Sequence, residues 1–234
     1  PVYGSGGFTS YPIERLEAQL SGWVQDGIPR VKIKIGSSPV DDPTRVRAAR
    51  EAIGPNAELY VDANGAYSRK QALSLAERFV HDANVSWFEE PVSSDDLDGL
   101  RLLRDRAPAP LRIAAGEYGY DIGYFRRMLE ACAVDVLQAD VTRCAGITEL
   151  LRVDALCAAH RVALSLHCGP SIHLHPGLAL SQLVHLEYFH DHSRIEQLLF
   201  DGVVSPRGGA LFPDHGRPGN GLELKRADAE RYAV

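Results

Sequence analysis

Short apolar runs that end in a polar or charged residue recur along this chain at fairly even intervals. Runs of this length, separated by longer segments, are typical of buried β-strands. Eight of them can be recognised, at Pro1–Tyr3, Val31–Ile35, Leu59–Asp62, Val85–Glu89, Leu111–Glu117, Val134–Asp140, Val162–His167 and Leu183–Tyr188.

The segments between these runs have apolar residues at the spacing of an amphipathic helix. Ser68 precedes one such segment and Asp95 or Asp96 another, as helix N-caps do. The predicted helices are Ile13–Asp26, Asp42–Ala52, Ser68–Val80, Asp96–Asp105, Tyr124–Ala131 and Ile147–Ala159.

Strands that alternate with helices indicate a parallel sheet joined by right-handed crossovers. Eight strands favour closure into an α/β barrel over an open sheet. A dinucleotide-binding sheet is disfavoured because Gly4-Ser5-Gly6-Gly7, after the first strand, lacks the G-x-G-x-x-G spacing.

The chain has 234 residues, close to the roughly 250 that an α/β barrel needs. We expect residues 1–200 to form the barrel and 201–234, rich in Gly and Pro, to be an extension of the same domain. The chain begins at Pro1 and its only methionine is Met128, so we also expect a further segment upstream.

Charge and cysteine content narrow the class of protein. The formal net charge is -6 without a run of Lys or Arg, which argues against nucleic acid or an anionic membrane as partner. No apolar stretch approaches the roughly 18 residues of a membrane span. The four cysteines form no C-x-x-C pair, so we predict reduced thiols in a cytoplasmic enzyme, which we expect to be a homo-oligomer.

Ionisable residues lie at the ends of seven consecutive predicted strands. The carboxyl ends of barrel strands converge on one mouth, where such proteins carry their sites. One such residue is usually a helix cap or a solvated loop residue, but seven in order are hard to explain by capping. They are Lys34, Asp62, Glu89, Glu117, Asp140, His167 and Glu187.

Three of these residues, Asp62, Glu89 and Glu117, end adjacent strands. Carboxylates brought together repel one another unless a cation lies between them. An all-oxygen set suits Mg²⁺ first and Mn²⁺ second and disfavours zinc. Asn64 could support this metal site, whereas strand alternation predicts that Glu90 points to the opposite side.

Lys32 and Lys34 are two residues apart on one strand, so both should face inward. Two neighbouring cations lower each other's pKa, which would make Lys34 a neutral base while Lys32 holds a substrate carboxylate. Asp140 could fix the tautomer of His167, giving a second acid/base on the other side of the substrate. Glu187 could exchange a hydrogen bond with the developing oxyanion.

Other polar residues are weaker candidates. His173 and His175, and His190 and His192, form H-x-H pairs that could bind metal, but no further ligand is indicated, so we interpret them as loop or packing residues. Tyr118 follows Glu117 and could line the pocket.

Taken together, these motifs resemble the mandelate racemase subgroup of the enolase superfamily over nearly the whole chain. The resemblance implies a TIM-like (β/α)7β barrel, Mg²⁺ on Asp62, Glu89 and Glu117, and Lys34 with the His167–Asp140 dyad as the acid/base catalysts. It places Glu187 near the substrate carboxylate. The matching motifs are Lys32-Ile-Lys34, Val61-Asp62-Ala63-Asn64-Gly65, Trp87-Phe88-Glu89-Glu90-Pro91, Gly116-Glu117, Gln138-Ala139-Asp140-Val141-Thr142-Arg143, His167 and Glu187.

The resemblance also implies an N-terminal α+β capping domain, most of which this chain lacks. We therefore expect the barrel alone to be poorly active and the barrel joined to its upstream segment to be active. The implied reaction removes the proton α to a small-molecule carboxylate. Because acid-sugar dehydratases are numerous in the subgroup, we favour dehydration of an aldonate or aldarate to a 2-keto-3-deoxy acid. The alternatives are a racemase or epimerase of a 2-hydroxy acid, and a non-catalytic metal-binding barrel.

Overall fold

Eight parallel strands form a closed barrel in the computed structural model, which describes residues 1–233. Each strand pairs with its neighbours in chain order, and β1 pairs with β8 to close the barrel. The predicted barrel is thereby confirmed. The strands are β1 (Val2–Gly6), β2 (Arg30–Lys34), β3 (Glu58–Asp62), β4 (Val85–Glu89), β5 (Arg112–Ala115), β6 (Val136–Ala139), β7 (Ala163–Leu166) and β8 (Leu183–Phe189).

A helix follows every strand and packs on the outside of the barrel. The six predicted helices are present with ends shifted by up to three residues, and two further helices follow β7 and β8. The helices are α1 (Ile13–Gln25), α2 (Asp42–Ile53), α3 (Arg69–Ala83), α4 (Leu97–Arg106), α5 (Ile122–Glu130), α6 (Ile147–His160), α7 (Pro170–Gly177) and α8 (His190–Leu199).

Helices α7 and α8, which were not predicted, lack a clear sequence signal. Helix α7 contains Pro176 and has no amphipathic pattern, since most of its residues are buried. Helix α8 begins with the polar stretch His190-Asp191-His192 and buries only Ser193. The (β/α)7β barrel that the resemblance implies ends on its eighth strand, whereas in this structure helix α8 follows β8.

The helix caps explain where α3 and α4 begin. The Ser68 side chain accepts a hydrogen bond from the Gln71 backbone N–H, and the Gln71 side chain accepts one from the Ser68 N–H. This reciprocal pair is a capping box. Asp96, rather than Asp95, caps α4 by accepting from the Gly99 N–H at 3.0 Å.

An aromatic layer fills the barrel interior below the mouth. The rings of Tyr60 and Trp87 stack with centroids 5.2 Å apart, and the Tyr3 ring meets Tyr60 edge-on. Tyr60 and Trp87 precede Asp62 and Glu89 by two residues, so each pair points to the same side of its strand. The aromatic layer is therefore an apolar floor beneath the polar mouth. A separate cluster of aliphatic and aromatic side chains fills the space between the barrel and the helices.

The segment after residue 200 packs at the amino end of the barrel. Strands β9 (Phe200–Asp201) and β10 (Glu223–Leu224) form an antiparallel pair, followed by α9 (Arg226–Ala229). The Val2 N–H donates to the Gly209 carbonyl at 2.9 Å, and Leu211 is buried. The boundary between the barrel and its extension 201–234 stays a prediction, and Val234 lies outside the described residues.

Across residues 1–233, none of the helices combines the length and the apolar character needed to cross a membrane.

The buried His185 should make the stability of the barrel sensitive to acid. Its ring lies among Tyr3, Tyr60 and Trp87, and its Nδ1 is 3.0 Å from Ser165 Oγ. Burial, assisted by nearby arginine charges, lowers the pKa of His185 to about 3. In the unfolded chain the pKa is about 6.5, so the unfolded state binds the proton first as the pH falls.

We expect the free energy of unfolding to decrease as the pH falls from about 6.5 towards 3, with a His185 contribution of roughly 2–3 kcal/mol near pH 4.5. Urea denaturation near pH 7.5 and pH 4.5 measures this decrease. The variant His185→Gln should lose this part of the pH dependence. Equal pH dependence in the two proteins would contradict the assignment.

Candidate active site

The structure brings all eight candidate residues of the sequence analysis together at the carboxyl end of the barrel. Five of them lie within strands: Lys32 and Lys34 in β2, and one residue each, Asp62, Glu89 and Glu187, in β3, β4 and β8. Glu117, Asp140 and His167 follow the last residues of β5, β6 and β7 by one or two positions. All are buried except Lys34, which is partly exposed.

Asp62, Glu89 and Glu117 form a compact carboxylate trio. One carboxylate oxygen from each lies within 4.8 Å of the others. The Trp87 indole Nε1–H donates to Glu89 Oε2 at 3.0 Å, and the backbone N–H of Asn64 donates to Asp62 Oδ1 at 2.9 Å. These bonds fix the carboxylates of Glu89 and Asp62. Asn64 supports the trio through its backbone N–H.

The trio fits a hard divalent cation. Within residues 1–233, the buried Glu117 Oε2 has no hydrogen-bond partner. Burial and the nearby Asp62 raise the pKa of Glu89 well above its ordinary value. Carboxylates this close need a cation or a shared proton, and oxygen-only ligands at this spacing suit Mg²⁺.

Two lysines on β2 face the trio, as strand alternation predicts. The Lys32 ammonium contacts Glu89 Oε1, lies 2.9 Å from Glu187 Oε1 and lies 3.4 Å from Asp62 Oδ2. The Lys34 ammonium contacts Asp62 Oδ2. The two cations are therefore held by the same carboxylates.

The contact with Asp62 favours the charged form of Lys34, so its role as a neutral base stays a prediction. Burial and Lys32 do lower its pKa, but Asp62 and the more distant Glu89 and Glu187 outweigh them and raise it above its ordinary value. The pKa of Lys32 is raised as well, because Glu187 and Glu89 outweigh burial. The sequence shows the neighbouring cation but not the distances to carboxylates on three other strands.

His167 and Asp140 form a directly bonded pair. His167 Nδ1 lies 2.9 Å from Asp140 Oδ2, and Thr142 donates to Asp140 Oδ1 through its N–H and its hydroxyl. Although burial opposes ionisation, these hydrogen bonds lower the pKa of Asp140 to about 2. The carboxylate thus accepts the Nδ1–H, which leaves the Nε2 lone pair of His167 free for proton transfer.

The Nε2 side of the His167 ring faces the carboxylates. Nε2 lies 3.2 Å from Glu117 Oε2 and 3.9 Å from Glu187 Oε2. Although burial opposes its ionisation, the Lys32 charge holds the pKa of Glu187 well below its usual range. An ionised Glu187 accepts hydrogen bonds, so of the two roles predicted for it the structure favours that of acceptor.

Several residues at the mouth were not assigned from the sequence. Cys168 Sγ lies 3.2 Å from His167 Nε2, and the Arg143 guanidinium lies 3.7 Å from Asp140 Oδ2. The prediction that Glu90 points away from the trio is wrong: the backbone leaves the strand there with φ 39°, and Glu90 is buried close enough to Glu117 and Asp62 to feel their charges. Burial and Glu117 raise the pKa of Glu90 to about 8. A polar residue directly after a strand-end candidate was the available signal for Cys168 and Glu90.

The H-x-H histidines lie in helices rather than in loops. His173 is buried in α7, where its Nε2 accepts from the Val141 N–H at 2.9 Å and its Nδ1 lies 2.9 Å from the Cys168 carbonyl. His173 therefore links the loop after β6 to the loop after β7. His192 Nδ1 accepts from the Gly169 N–H at 3.1 Å. Tyr118 is exposed, and its ring lies beneath the Arg143 guanidinium.

Comparison with known proteins adds a family match. Residues 15–229 match the family described as "Enolase C-terminal domain-like". Among curated relatives, the D-galactarolactone cycloisomerase of Agrobacterium fabrum is 30% identical over 96% of this chain and 63% of its own length. The chain thus spans less than two thirds of this relative.

Solved structures agree with this match. A mandelate racemase/muconate lactonizing enzyme-like protein from Rubrobacter xylanophilus is 59% identical, with a TM-score of 0.98 over 100% of this chain and 65% of the other. The L-talarate/galactarate dehydratase of Salmonella typhimurium, liganded with Mg and L-lyxarohydroxamate, is 28% identical, with a TM-score of 0.87 over 98% of this chain and 57% of the other.

Proposed function

This chain belongs to the enolase C-terminal domain-like family, among proteins of the mandelate racemase type, and on that basis we propose that it removes the proton α to the carboxylate of a small acid. We favour dehydration of an acid sugar, an aldonate or aldarate, to a 2-keto-3-deoxy acid. The observation that carries the proposal is the placement of two proton-transfer groups, Lys34 and the His167–Asp140 pair, around one buried carboxylate trio.

In this proposal Asp62, Glu89 and Glu117 hold Mg²⁺. When bound, the cation would take over the carboxylates that now pair with the lysines and would stabilise negative charge on the substrate carboxylate. Lys32 is at the floor of the mouth, within 3.4 Å of Asp62 Oδ2, and keeps its charge because Glu187 faces it. It is therefore suited to bind a substrate carboxylate oxygen.

The two acid/base groups divide the proton transfers. One of them accepts the α proton, and the electron pair of the broken C–H bond forms the enolate. For dehydration, His167 Nε2–H then donates a proton to the hydroxyl on the next carbon. That C–O bond breaks, water leaves, and the enol product tautomerises to the 2-keto acid. If His167 accepts the α proton, it donates this same proton; if Lys34 accepts it, His167 donates a proton taken up from solvent. Asp140 stabilises the imidazolium in both cases.

The relatives support an acid-sugar substrate. One is named a cycloisomerase of a sugar lactone, and another is named a talarate/galactarate dehydratase. The runner-up is racemisation or epimerisation of a 2-hydroxy acid, in which the group opposite the base returns a proton to the α carbon. Lys34 on β2 and His167 after β7 lie in different parts of the barrel wall, an arrangement that this second reaction also needs.

A library of aldonates and aldarates with Mg²⁺ tests the proposed reaction. We expect at least one of them to yield a 2-keto-3-deoxy acid, detected by colorimetric assay and mass spectrometry, and a chelator should abolish its formation. The 234-residue chain is assayed alone and joined to a family capping segment, with the joined form expected to be the faster.

The other outcomes separate the alternatives. Inversion at the α carbon without loss of water would support the racemase or epimerase. The absence of both reactions in both forms, with Mg²⁺ binding intact, would contradict the enzyme and favour a non-catalytic metal-binding barrel.

A further inference from the structure

A second group of potential metal ligands lies beside the carboxylate trio. One donor atom from each of His167, Cys168 and Glu187 lies within 4.8 Å of the others, and all three residues are buried. The closest pair is Cys168 Sγ and His167 Nε2, at 3.2 Å. Glu187 Oε2 lies 3.9 Å from the same Nε2 atom. This group combines sulfur, nitrogen and oxygen, unlike the all-oxygen trio.

The backbone turn after β7 creates this grouping. Cys168 has φ 52° and Gly169 has φ 45°, so the chain reverses directly after His167. The Cys168 N–H donates to Glu187 Oε2 at 2.9 Å, and the Cys168 carbonyl lies 2.9 Å from His173 Nδ1. Both contacts hold the turn, with the Cys168 thiol close to the imidazole.

We propose that His167, Cys168 and Glu187 form a site for a thiophilic divalent cation such as Zn²⁺, separate from the Mg²⁺ ligands proposed above. Thiolate, imidazole and carboxylate are the three ligand types of protein zinc sites, with bonds of about 2.0–2.3 Å. A tetrahedral ion with such bonds holds sulfur and nitrogen about 3.5 Å apart. A small displacement of Cys168 Sγ or His167 Nε2 therefore brings the two atoms to the distance that the ion requires. One thiolate and one carboxylate neutralise the charge of the cation.

The hydrogen bond behind the imidazole supports His167 as a metal ligand. On the far side of the ring, Asp140 accepts from Nδ1, as carboxylates commonly do behind metal-bound histidines.

Binding of a cation at this site changes the chemistry of two residues, Cys168 and His167. The Cys168 thiol loses its proton to solvent as the sulfur–metal bond forms, and His167 uses its Nε2 lone pair as a ligand. His167 can then no longer accept or donate a proton at Nε2. The inference that zinc inhibits catalysis rests on the proposed function, whereas the binding itself does not.

Titration with Cd²⁺ in excess Mg²⁺, without substrate, tests the binding. Cd²⁺ bound to a thiolate gives an ultraviolet charge-transfer band that carboxylate-bound Cd²⁺ lacks, so the carboxylate trio is silent in this measurement. We expect the 234-residue chain to show the band with one ion per chain and to lose it when Zn²⁺ is added. The Cys168→Ser variant should lose the band.

The matched control is Cys132→Ser, because Cys132 is the exposed thiol among the four cysteines. This variant should titrate like the unmodified chain. The proposal is overturned if the unmodified chain gives no band, if Cys168→Ser keeps it, or if Cys132→Ser loses it.

A second variant keeps the test decisive if Cys168→Ser fails to fold. Asp140→Asn leaves all the proposed ligands in place and removes the charge behind His167, so the affinity for Cd²⁺ should fall by about 10- to 100-fold. Unchanged affinity would contradict ligation by His167. Because no turnover is measured, these results stand whether or not the dehydratase is confirmed.

Discussion

Replacing His167 by Asn is expected to reduce kcat by about 100- to 10,000-fold, the usual contribution of a positioned acid/base group. Asn can still hydrogen-bond to Asp140, but it has no group that can accept and donate a proton at the position of Nε2. For dehydration this leaves the departing hydroxyl without its acid. Steady-state turnover of an acid-sugar substrate by the variant and the unmodified protein, each joined to the capping segment, measures the loss.

The same variant distinguishes which group takes the α proton. If Lys34 takes it first, His167→Asn should still exchange the α proton with solvent while turnover is lost. The matched control is His160→Asn, since His160 is exposed at the end of α6. Turnover equal to that of the control would exclude His167 from the chemistry.

The second prediction with a large expected effect concerns the affinity for Mg²⁺. Glu89→Gln should weaken Mg²⁺ binding by more than about 100-fold, because it removes one of three charged oxygen ligands and leaves an amide that is a poor ligand for a hard cation. Titration calorimetry with MgCl₂ measures this loss directly. Thermal unfolding of the variant shows whether the fold has been kept.

Glu58→Gln provides the matched control for this prediction. Glu58 is a half-exposed carboxylate at the opposite end of β3, where it pairs with Arg30 at 2.8 Å. The control should bind Mg²⁺ like the parent chain. Equal binding by Glu89→Gln and Glu58→Gln would remove Glu89 from the metal site.

The barrel and the convergence of the candidate residues on one mouth could be predicted because each depends on a local pattern. The inward direction of Lys32 and Lys34 follows from the two-residue period of a strand. The meeting of Asp62, Glu89 and Glu117 follows from the shared direction of parallel strands. Neither inference requires the distance between two elements of the fold to be known.

The properties that could not be predicted depend on distances between elements. The ionisation of Lys34 is decided by its contact with Asp62 on another strand, which outweighs the effect of Lys32 beside it in sequence. The position of the Cys168 thiol depends on a left-handed backbone at a residue other than glycine, for which the sequence gives no signal. Helix α7 was missed because its buried residues form no amphipathic stripe.

Solvent-deuterium exchange tests the central claim, abstraction of a proton α to a carboxylate, most directly. An acid sugar is incubated with the protein and Mg²⁺ in deuterated water, and the α position of the substrate and C3 of the product are followed by proton NMR. Proton abstraction at this mouth predicts Mg²⁺-dependent loss of the α-proton signal, at a rate at least equal to turnover, and no loss in a Lys34→Met/His167→Asn double variant. A 2-keto-3-deoxy product that carries the original α hydrogen at C3 in place of solvent deuterium, or exchange that persists in the double variant, would contradict it.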